Sequence, residues 1–278
     1  MSSPPRHRIL KRAQGSQRLH RQKKDTAEYI YVALALDITL ALLSSRSAKA
    51  AMTTITRVFD DNLPSHLQLF FDTSDAGIAR SIDNFVDIMH TQTPLIVIDG
   101  NMADPANPAA HTRDIWSGTF DPLKHEILLN MQLVQDMVNA AESQEALRRF
   151  QFQFINLFFH EIGGHLLFTY LYHGLLGTPR EVTPANWYGQ HQGENLGESG
   201  RTLETVVFGG TVEFYDVPEA SIQKKPRKPC KTVCFNNRQS NEKRNDLRSN
   251  RVAYICVGLN PLGRRQPQLC EESYQPGN

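Results

Sequence analysis

The stretch His160-Glu161-Ile162-Gly163-Gly164-His165 combines two imidazoles, one carboxylate and two adjacent glycines inside a strongly apolar segment. Bulky apolar residues recur at helical spacing before and after it, which predicts a buried helix. The residues that carry this periodicity are Leu147, Phe150, Phe154, Ile155, Phe158, Phe159, Ile162, Leu166, Leu167 and Tyr170. A buried helix with three ionisable side chains needs partners for them, because burying an isolated charge is costly.

The two histidines stand five residues apart, one more than the separation that aligns two side chains on an α-helix. Five residues advance about 500° around an α-helix, so the imidazoles would point roughly 140° apart. A single π-helical turn absorbs the additional residue and realigns the two faces. Gly163 and Gly164 stand where this distortion is needed, although close helix packing also explains paired glycines. We therefore expect a π-bulge here if the histidines share a metal ion.

Two imidazoles beside a glutamate are suited to a hydrolytic zinc site. Neutral imidazole nitrogens bind Zn²⁺ at about 2.0 to 2.1 Å. A nearby carboxylate that is not a ligand can accept a proton from water activated by the metal. The pattern predicts His160 and His165 as ligands and Glu161 as the general base. The alternative is that both histidines are core residues, in which case a buried Glu161 would also need a partner.

The hexapeptide resembles the HExxGH sequence of the dipeptidyl peptidase III family, whose zinc-binding histidines are also five residues apart. It is similar, too, to a group of fungal proteins of unassigned function that combine HE-x-GGH with a later GESGR. These resemblances run from the HEIGGH helix to Tyr215. They imply a gluzincin-type zinc metallopeptidase with an α+β, zincin-like fold. Such a fold has an active-site helix, a second helix that carries a ligand, and a small mixed sheet.

Residues 197–210, GESGRTLETVVFGG, are the expected source of the third ligand. The portion that begins at Glu204 resembles the ExxxFGG segment with the glutamate ligand in clostridial neurotoxin light chains. In thermolysin the ligand follows the glutamate of an E-S-G stretch by six residues, as Glu204 follows Glu198. Both resemblances imply Glu204 as the ligand. Phe208 stands where thermolysin has an Asp, so Glu198 is the candidate orienting carboxylate and the alternative ligand, and Arg201 can pair with either glutamate.

The resemblance thus implies Zn²⁺ as cofactor, held by His160, His165 and Glu204, and a peptide or protein as substrate. Glu161 is expected to take a proton from water and pass it to the leaving amine. Two alternatives stay open. One is a noncatalytic binding or structural protein with a zincin fold, and the other is a zinc-dependent enzyme that acts on a non-peptide metabolite.

Charge divides the chain into three regions. Residues 1–24 contain eight Lys or Arg and no acid, and residues 223–265 contain twelve against two acids. Residues 51–222 contain eight basic and 22 acidic residues. We predict a basic leader at 1–50, a zincin-like catalytic domain at 51–222, and a basic cysteine-containing tail at 223–278. Neither basic end shows an aromatic-interleaved pattern, so we predict no nucleic-acid partner.

The leader admits several interpretations. Residues 29–43 are mainly apolar, and Ala48-Lys49-Ala50 has the small-x-small pattern of a signal-peptidase site. Asp37 interrupts the apolar run, and a charge near the centre of a membrane helix costs about 2.5 to 3.5 kcal/mol. We therefore predict no stable membrane span. Secretion, import into an organelle, and a helix packed on the catalytic domain all remain open.

The cysteines all lie in the tail, at Cys230, Cys234, Cys256 and Cys270. They permit two disulfides, a second zinc site, or free thiols.

The pattern of apolar residues between residues 67 and 150 predicts both strands and helices, and so an α+β fold. Residues 67–71, 95–98 and 125–130 are predicted strands, and residues 78–89 and 131–150 are predicted helices. By analogy with zincin folds, we expect residues 127–130 to pair with the substrate backbone at the edge of the cleft. A glycine- and proline-rich loop at 174–197 is expected over the site. His173, Tyr188 and His191 are its candidates for polarising a carbonyl.

Overall fold

The computed structural model describes residues 7–63, 71–102, 107–111, 114–179, 181–182, 197–216 and 251–256. These residues form a five-stranded mixed sheet, a two-stranded antiparallel pair and a set of packed helices. In chain order the elements are β1 (Ile9–Arg12), β2 (Leu19–Arg21), α1 (Ala27–Leu43), α2 (Arg46–Asp61), α3 (Asp75–Thr91), β3 (Leu95–Asp99), β4 (Ala109–His111), β5 (Glu126–Asn130), α4 (Met131–Asn139), α5 (Gln144–Phe158), a π-helical segment (Phe159–Leu166), α6 (Leu167–Leu171), α7 (Ser199–Phe208), β6 (Thr211–Asp216) and β7 (Arg251–Cys256). The predicted α+β class with a small mixed sheet is confirmed.

The strands of the larger sheet run in the order β2-β1-β3-β5-β4. β3 pairs in parallel with β1 and β5, while β2 and β4 are antiparallel edge strands. β5 therefore lies inside the sheet, and both its edges are occupied by neighbouring strands. The prediction that residues 127–130 form the substrate-pairing edge is wrong for this reason, and β4 is the edge strand on that side.

Several elements match the hydrophobic patterns of the sequence. The strands predicted at 95–98 and 125–130 correspond to β3 and β5, and the helix predicted at 78–89 lies within α3. The helix predicted at 131–150 divides at Ser143, whose hydroxyl accepts a hydrogen bond from the backbone N–H of Ala146 and so caps α5. A polar capping residue thus ends one helix and starts the next. Most of the strand predicted at 67–71 lies outside the described residues.

The basic N-terminal segment belongs to the same folded unit as the middle of the chain. β1 forms a parallel ladder with β3. α1 buries Val32, Leu36, Leu40 and Leu43 in the common core. The boundary predicted at residue 50 falls inside α2, and the division of the chain into a leader, a domain and a tail stays a prediction. In the described chain, no individual helix is long and apolar enough to span a membrane. α1 and α2 together have the necessary length and composition, but the pair is bent by 73°.

The boundary predicted at residue 222 separates two strands that pair with each other. β6 and β7 form an antiparallel ladder from Thr211↔Cys256 to Asp216↔Arg251. Part of the predicted tail is therefore paired with the chain that follows α7. Cys256 ends β7, whereas Cys230, Cys234 and Cys270 lie outside the described residues. The pairing of the cysteines stays a prediction.

α5, the π-helical segment and α6 form one continuous helix, because the residues at both junctions keep right-handed helical backbone angles. Its C-terminal end is anchored by stacked rings. The centroid of Phe59 on α2 lies 4.4 Å from that of Phe168 and 4.3 Å from that of Tyr172. All three residues are fully buried. This packing fixes the helix on which the two histidines lie.

Candidate metal centre

The π-helical segment Phe159–Leu166 contains the entire HEIGGH sequence. The predicted π-bulge is therefore present. In a π-helix the backbone hydrogen bonds join residues five apart, so His160 and His165 lie above each other on one face. Their Nε2 atoms are 3.1 Å apart, and their rings meet at 64°. Two ligands at 2.0 to 2.1 Å from a tetrahedral zinc ion stand about 3.3 Å apart, close to this separation.

Glu198, the residue before α7, faces both of these nitrogen atoms. Its Oε1 lies 3.1 Å from Nε2 of His165, and its Oε2 lies 3.3 Å from Nε2 of His160. The three side chains thus present two nitrogens and a carboxylate at mutual distances suited to a single ion. Burial opposes ionisation of Glu198, but the hydrogen bond from His165 and the charges of His160, His165 and Arg201 lower its pKa to about 2.

Glu204, the ligand expected from the sequence, contacts the opposite nitrogen of His160. Its Oε1 lies 2.8 Å from Nδ1, whereas Nε2 of the same ring faces His165. An ion placed between the two Nε2 atoms is on the far side of the ring from Glu204. The geometry therefore favours Glu198 over Glu204 as the third ligand and gives Glu204 the orienting position, which exchanges the roles expected for the two residues.

Four donors surround the carboxylate of Glu204, which is 1% exposed. Besides His160, they are the Asn156 side-chain amide at 3.3 Å, the Arg201 guanidinium at 3.3 Å and the Val212 backbone N–H at 3.0 Å. Burial raises the pKa of Glu204, but the hydrogen bonds from His160 and Val212 and the charges of His160 and Arg201 outweigh burial and lower it. An ionised Glu204 accepts a hydrogen bond from Nδ1–H of His160, which leaves Nε2 of the same ring available to bind a cation.

Ser199 provides a comparable contact for the second histidine. Its Oγ lies 3.3 Å from Nδ1 of His165 and 3.4 Å from Oγ1 of Thr178. Ser199 is fully buried and Thr178 nearly so. The two Nδ1 atoms therefore both have partners, contributed by successive turns of α7. This arrangement favours the tautomers in which each Nδ1 carries the proton and each Nε2 offers its lone pair.

Glycines let α7 approach the π-helical segment closely. A Cβ atom on Gly164 would lie 2.3 Å from the Cα atom of Gly200. One on Gly200 would lie 2.5 Å from the ring of His160, and one on Gly163 would lie 2.7 Å from Cδ2 of Leu203. Both explanations considered for the paired glycines therefore apply, because the backbone is π-helical and a second helix packs tightly against it.

Glu161 is buried, with 6% of its surface exposed. A carboxylate oxygen of Glu161 and one nitrogen each from His160 and His165 lie within 4.8 Å of one another, so these three residues form a candidate metal-binding group. Within the described chain, however, Glu161 forms no ion pair with either imidazole, whereas Glu198 approaches both to 3.1–3.3 Å. The distances thus favour Glu198 as a ligand and place Glu161 beside the site.

The centre strongly favours positive charge. Burial lowers the pKa of His160, but the hydrogen bond to Glu204 and the charges of Glu198, Glu161 and Glu204 raise it to about 9. Three carboxylates therefore compensate for the loss of water around this imidazole. The same environment favours a divalent cation, which can take the place of the proton.

His173 follows α6, has a φ of 55° and stacks on Trp116 with ring centroids 4.1 Å apart. Tyr188 and His191 lie outside the described residues. Sequence reasoning did not identify Asn156, Ser199 or Thr178. Asn156 had a usable signal, because it is a polar residue one turn before His160 in a helix that the sequence predicts to be buried.

No protein-family model, curated protein or solved structure matches the chain. The chemistry of the centre is therefore argued from its own residues.

Proposed function

We propose that the chain is a zinc-dependent hydrolase, most simply a metallopeptidase, in which His160, His165 and Glu198 bind the ion. The observation that carries this proposal is the convergence of two Nε2 atoms and the carboxylate of Glu198 at 3.1–3.3 Å from one another, beside the buried Glu161. Two imidazoles and one carboxylate form the ligand set of several catalytic zinc sites, which keep a fourth position for water or substrate. The resemblance of HEIGGH to the hexapeptide of the dipeptidyl peptidase III family supports zinc binding by the two histidines.

When bound, Zn²⁺ would supply Lewis acidity for polarising a carbonyl and activating water. Glu161 would accept a proton from the attacking water and pass it to the departing amine. Glu204 and Ser199 hold the two imidazoles in the orientation that directs Nε2 into the site. Arg201 holds Glu204 through its guanidinium and also donates to the carbonyl of Val212 at 2.8 Å.

Glu161 distinguishes a catalytic centre from a purely structural one. A structural zinc site is closed by protein ligands and has no need of an acid beside the metal. Here the carboxylate that directly follows a ligand is buried, although leaving an ionisable group inside a protein is costly without a function or a partner. Hydrolysis gives that carboxylate a role. A peptide is the simplest substrate, since hydrolysis of an amide requires both a polarised carbonyl and a proton for the amine.

The test compares wild-type protein with Glu161→Gln, using metal analysis and a mixed library of fluorogenic peptides. We expect about one zinc per chain in both proteins. Hydrolysis should fall about 10²- to 10⁴-fold in the variant, because general acid–base catalysis contributes that range. The matched control is Glu145→Gln on the same continuous helix, whose carboxylate is exposed and pairs with Arg149. This control should keep both zinc and activity.

Two results would refute the proposal in different ways. Wild-type protein that takes up no zinc, even when refolded with the metal, would remove the metal centre. Glu161→Gln that retains full turnover would remove the role of Glu161 as general base while leaving the metal assignment intact.

A further inference from the structure

The outward face of α1 carries a row of apolar side chains. Ile30, Leu34 and Ile38 are 49%, 42% and 40% exposed and stand four residues apart, so they lie on one side of the helix. Among the described residues, six large hydrophobic side chains are exposed, and these three form the one row. The small residues Ala27 and Ala41 extend the same face. We refer to Ile30, Leu34 and Ile38 as the α1 stripe.

The opposite face of α1 is already buried in the core. Val32 and Leu36 are fully buried there, and Leu40 and Leu43 are 1% exposed. α1 is therefore apolar on both sides, a property of helices that are covered all round. The other exposed apolar residues are Ile115, Leu175 and Val206, which lie outside α1. The stripe is different because it is continuous, and contiguous exposed apolar surface marks an interaction site.

Basic side chains stand at both ends of the stripe. Residues 7–26 contain seven Lys or Arg and one acid. Arg21, Lys23 and Lys24, directly before α1, are exposed, and so is Arg46 directly after it. The acids nearest the stripe are Asp25, which is exposed, Glu28, whose Oε1 is 3.4 Å from Nζ of Lys11, and Asp37, whose Oδ1 is 3.0 Å from Nε2 of His7. The α1 stripe is therefore an apolar surface with basic side chains at both of its ends.

The basic residues at both ends of the stripe favour an anionic binding partner over a second copy of the chain. A second copy packed in an antiparallel manner would place Lys24 of one chain against Arg46 of the other. A parallel arrangement would place Lys24 against Lys24. Both arrangements bring like charges together, whereas an anionic surface accommodates both ends. We propose that α1 binds the surface of an anionic lipid bilayer, with the stripe in the interfacial region and the flanking basic side chains on the headgroups.

The experiment measures co-sedimentation of the full chain with vesicles of phosphatidylcholine alone or with one quarter phosphatidylserine. We expect binding to the anionic vesicles at low salt, reduced by high salt, and at least about tenfold weaker binding to the neutral ones. Leu34→Asn and Ile38→Asn should each weaken binding about tenfold, because each removes several buried methylene equivalents. Ile115→Asn, at an exposed position outside α1, is the matched control and should bind as wild type.

A second pair of substitutions tests the charge independently of the apolar stripe. Lys23→Gln combined with Lys24→Gln should weaken binding to anionic vesicles about tenfold or more, since each basic residue contributes about 1 kcal/mol. Equal binding to both vesicle types, or stripe variants that bind as wild type, would overturn the proposal. So would sedimentation of a dimer that Leu34→Asn dissociates, because the stripe would then join two copies. Zinc content and hydrolysis should not change in any of these variants.

Discussion

At the scale of single residues, the two glutamates of the centre differ in the imidazole nitrogen that they contact. Glu198 faces Nε2 of both histidines, and Glu204 faces Nδ1 of His160. We expect Glu204→Gln to weaken zinc binding about 10- to 100-fold, the usual cost of losing an orienting partner. Glu198→Gln should weaken it more, since a ligand is lost. Competition with a chromophoric chelator measures both affinities. A larger loss of zinc affinity in Glu204→Gln than in Glu198→Gln would indicate that Glu204 is the ligand.

The carboxylates around His160 predict how the centre responds to pH. The pKa of this imidazole is about 9 in the metal-free fold, above its ordinary value of 6.5. Its protonation therefore stabilises the metal-free fold fully below pH 6.5, and this contribution is lost as the pH rises through 9. Zinc requires the neutral imidazole, so zinc affinity should increase with pH up to about 9.

Calorimetry of zinc binding at pH 7, in buffers with different heats of ionisation, measures the proton that His160 releases. We expect about one proton per zinc from this group, and a smaller release in Glu204→Gln, because the hydrogen bond that raises the pKa is then weakened. Zinc binding without proton release at pH 7 would contradict a raised pKa for His160.

At the scale of elements, the sequence was sufficient to predict the π-helical segment. Histidines five residues apart can share an ion only if the helix accommodates one additional residue, and two glycines stood at that place. The contacts of the two glutamates, Glu198 with Nε2 of both histidines and Glu204 with Nδ1 of His160, could not be predicted in this way. Which ring nitrogen a glutamate reaches depends on how α7 crosses the π-helical segment, and that crossing is set by the contact between Gly164 and Gly200, which are distant in sequence.

The helix crossing also predicts the effect of a single methyl group. Gly164→Ala would place a Cβ atom 2.3 Å from the Cα atom of Gly200, where the backbone itself must move. We expect a loss of about 1 to 3 kcal/mol in the free energy of unfolding, as for other overpacked cores. Zinc binding should weaken as well, because α7 carries the partners of both Nδ1 atoms.

Denaturant unfolding and zinc competition measure the two effects of Gly164→Ala. Val206→Ala, on the exposed face of α7, is the control and should change neither quantity appreciably. A Gly164→Ala protein with unchanged stability and zinc affinity would show that the two helices are not in the tight contact described.

At the scale of the whole molecule, the charge division of the sequence does not coincide with the ends of the elements, because charge reports solvent exposure rather than packing; residue 50, for example, lies inside α2. Among the basic residues of β1 and β2, Arg21 is exposed and Lys11 half-buried, whereas Arg12 pairs with the buried Asp99 at 3.2 Å. The hydrophobic pattern of residues 29–43 is compatible both with a leader and with a helix packed on the domain. Its pairing with α5 and the π-helical segment depends on contacts more than a hundred residues away, such as that between the Thr39 hydroxyl and the Ile155 carbonyl.

Two leucines on α1 test whether this helix belongs to the core. Leu36 is fully buried and Leu34 is 42% exposed, so the same substitution samples opposite faces of one helix. Leu36→Ala should reduce the free energy of unfolding by about 2 to 5 kcal/mol, the usual cost of a large-to-small change in a core. Leu34→Ala should change it by less than about 0.5 kcal/mol, as is typical of surface substitutions. Chemical denaturation followed by circular dichroism measures both. If Leu36→Ala were as mild as Leu34→Ala, α1 would be detachable from the fold, as expected of a leader, and the N-terminal segment would not contribute to the core that supports the metal centre.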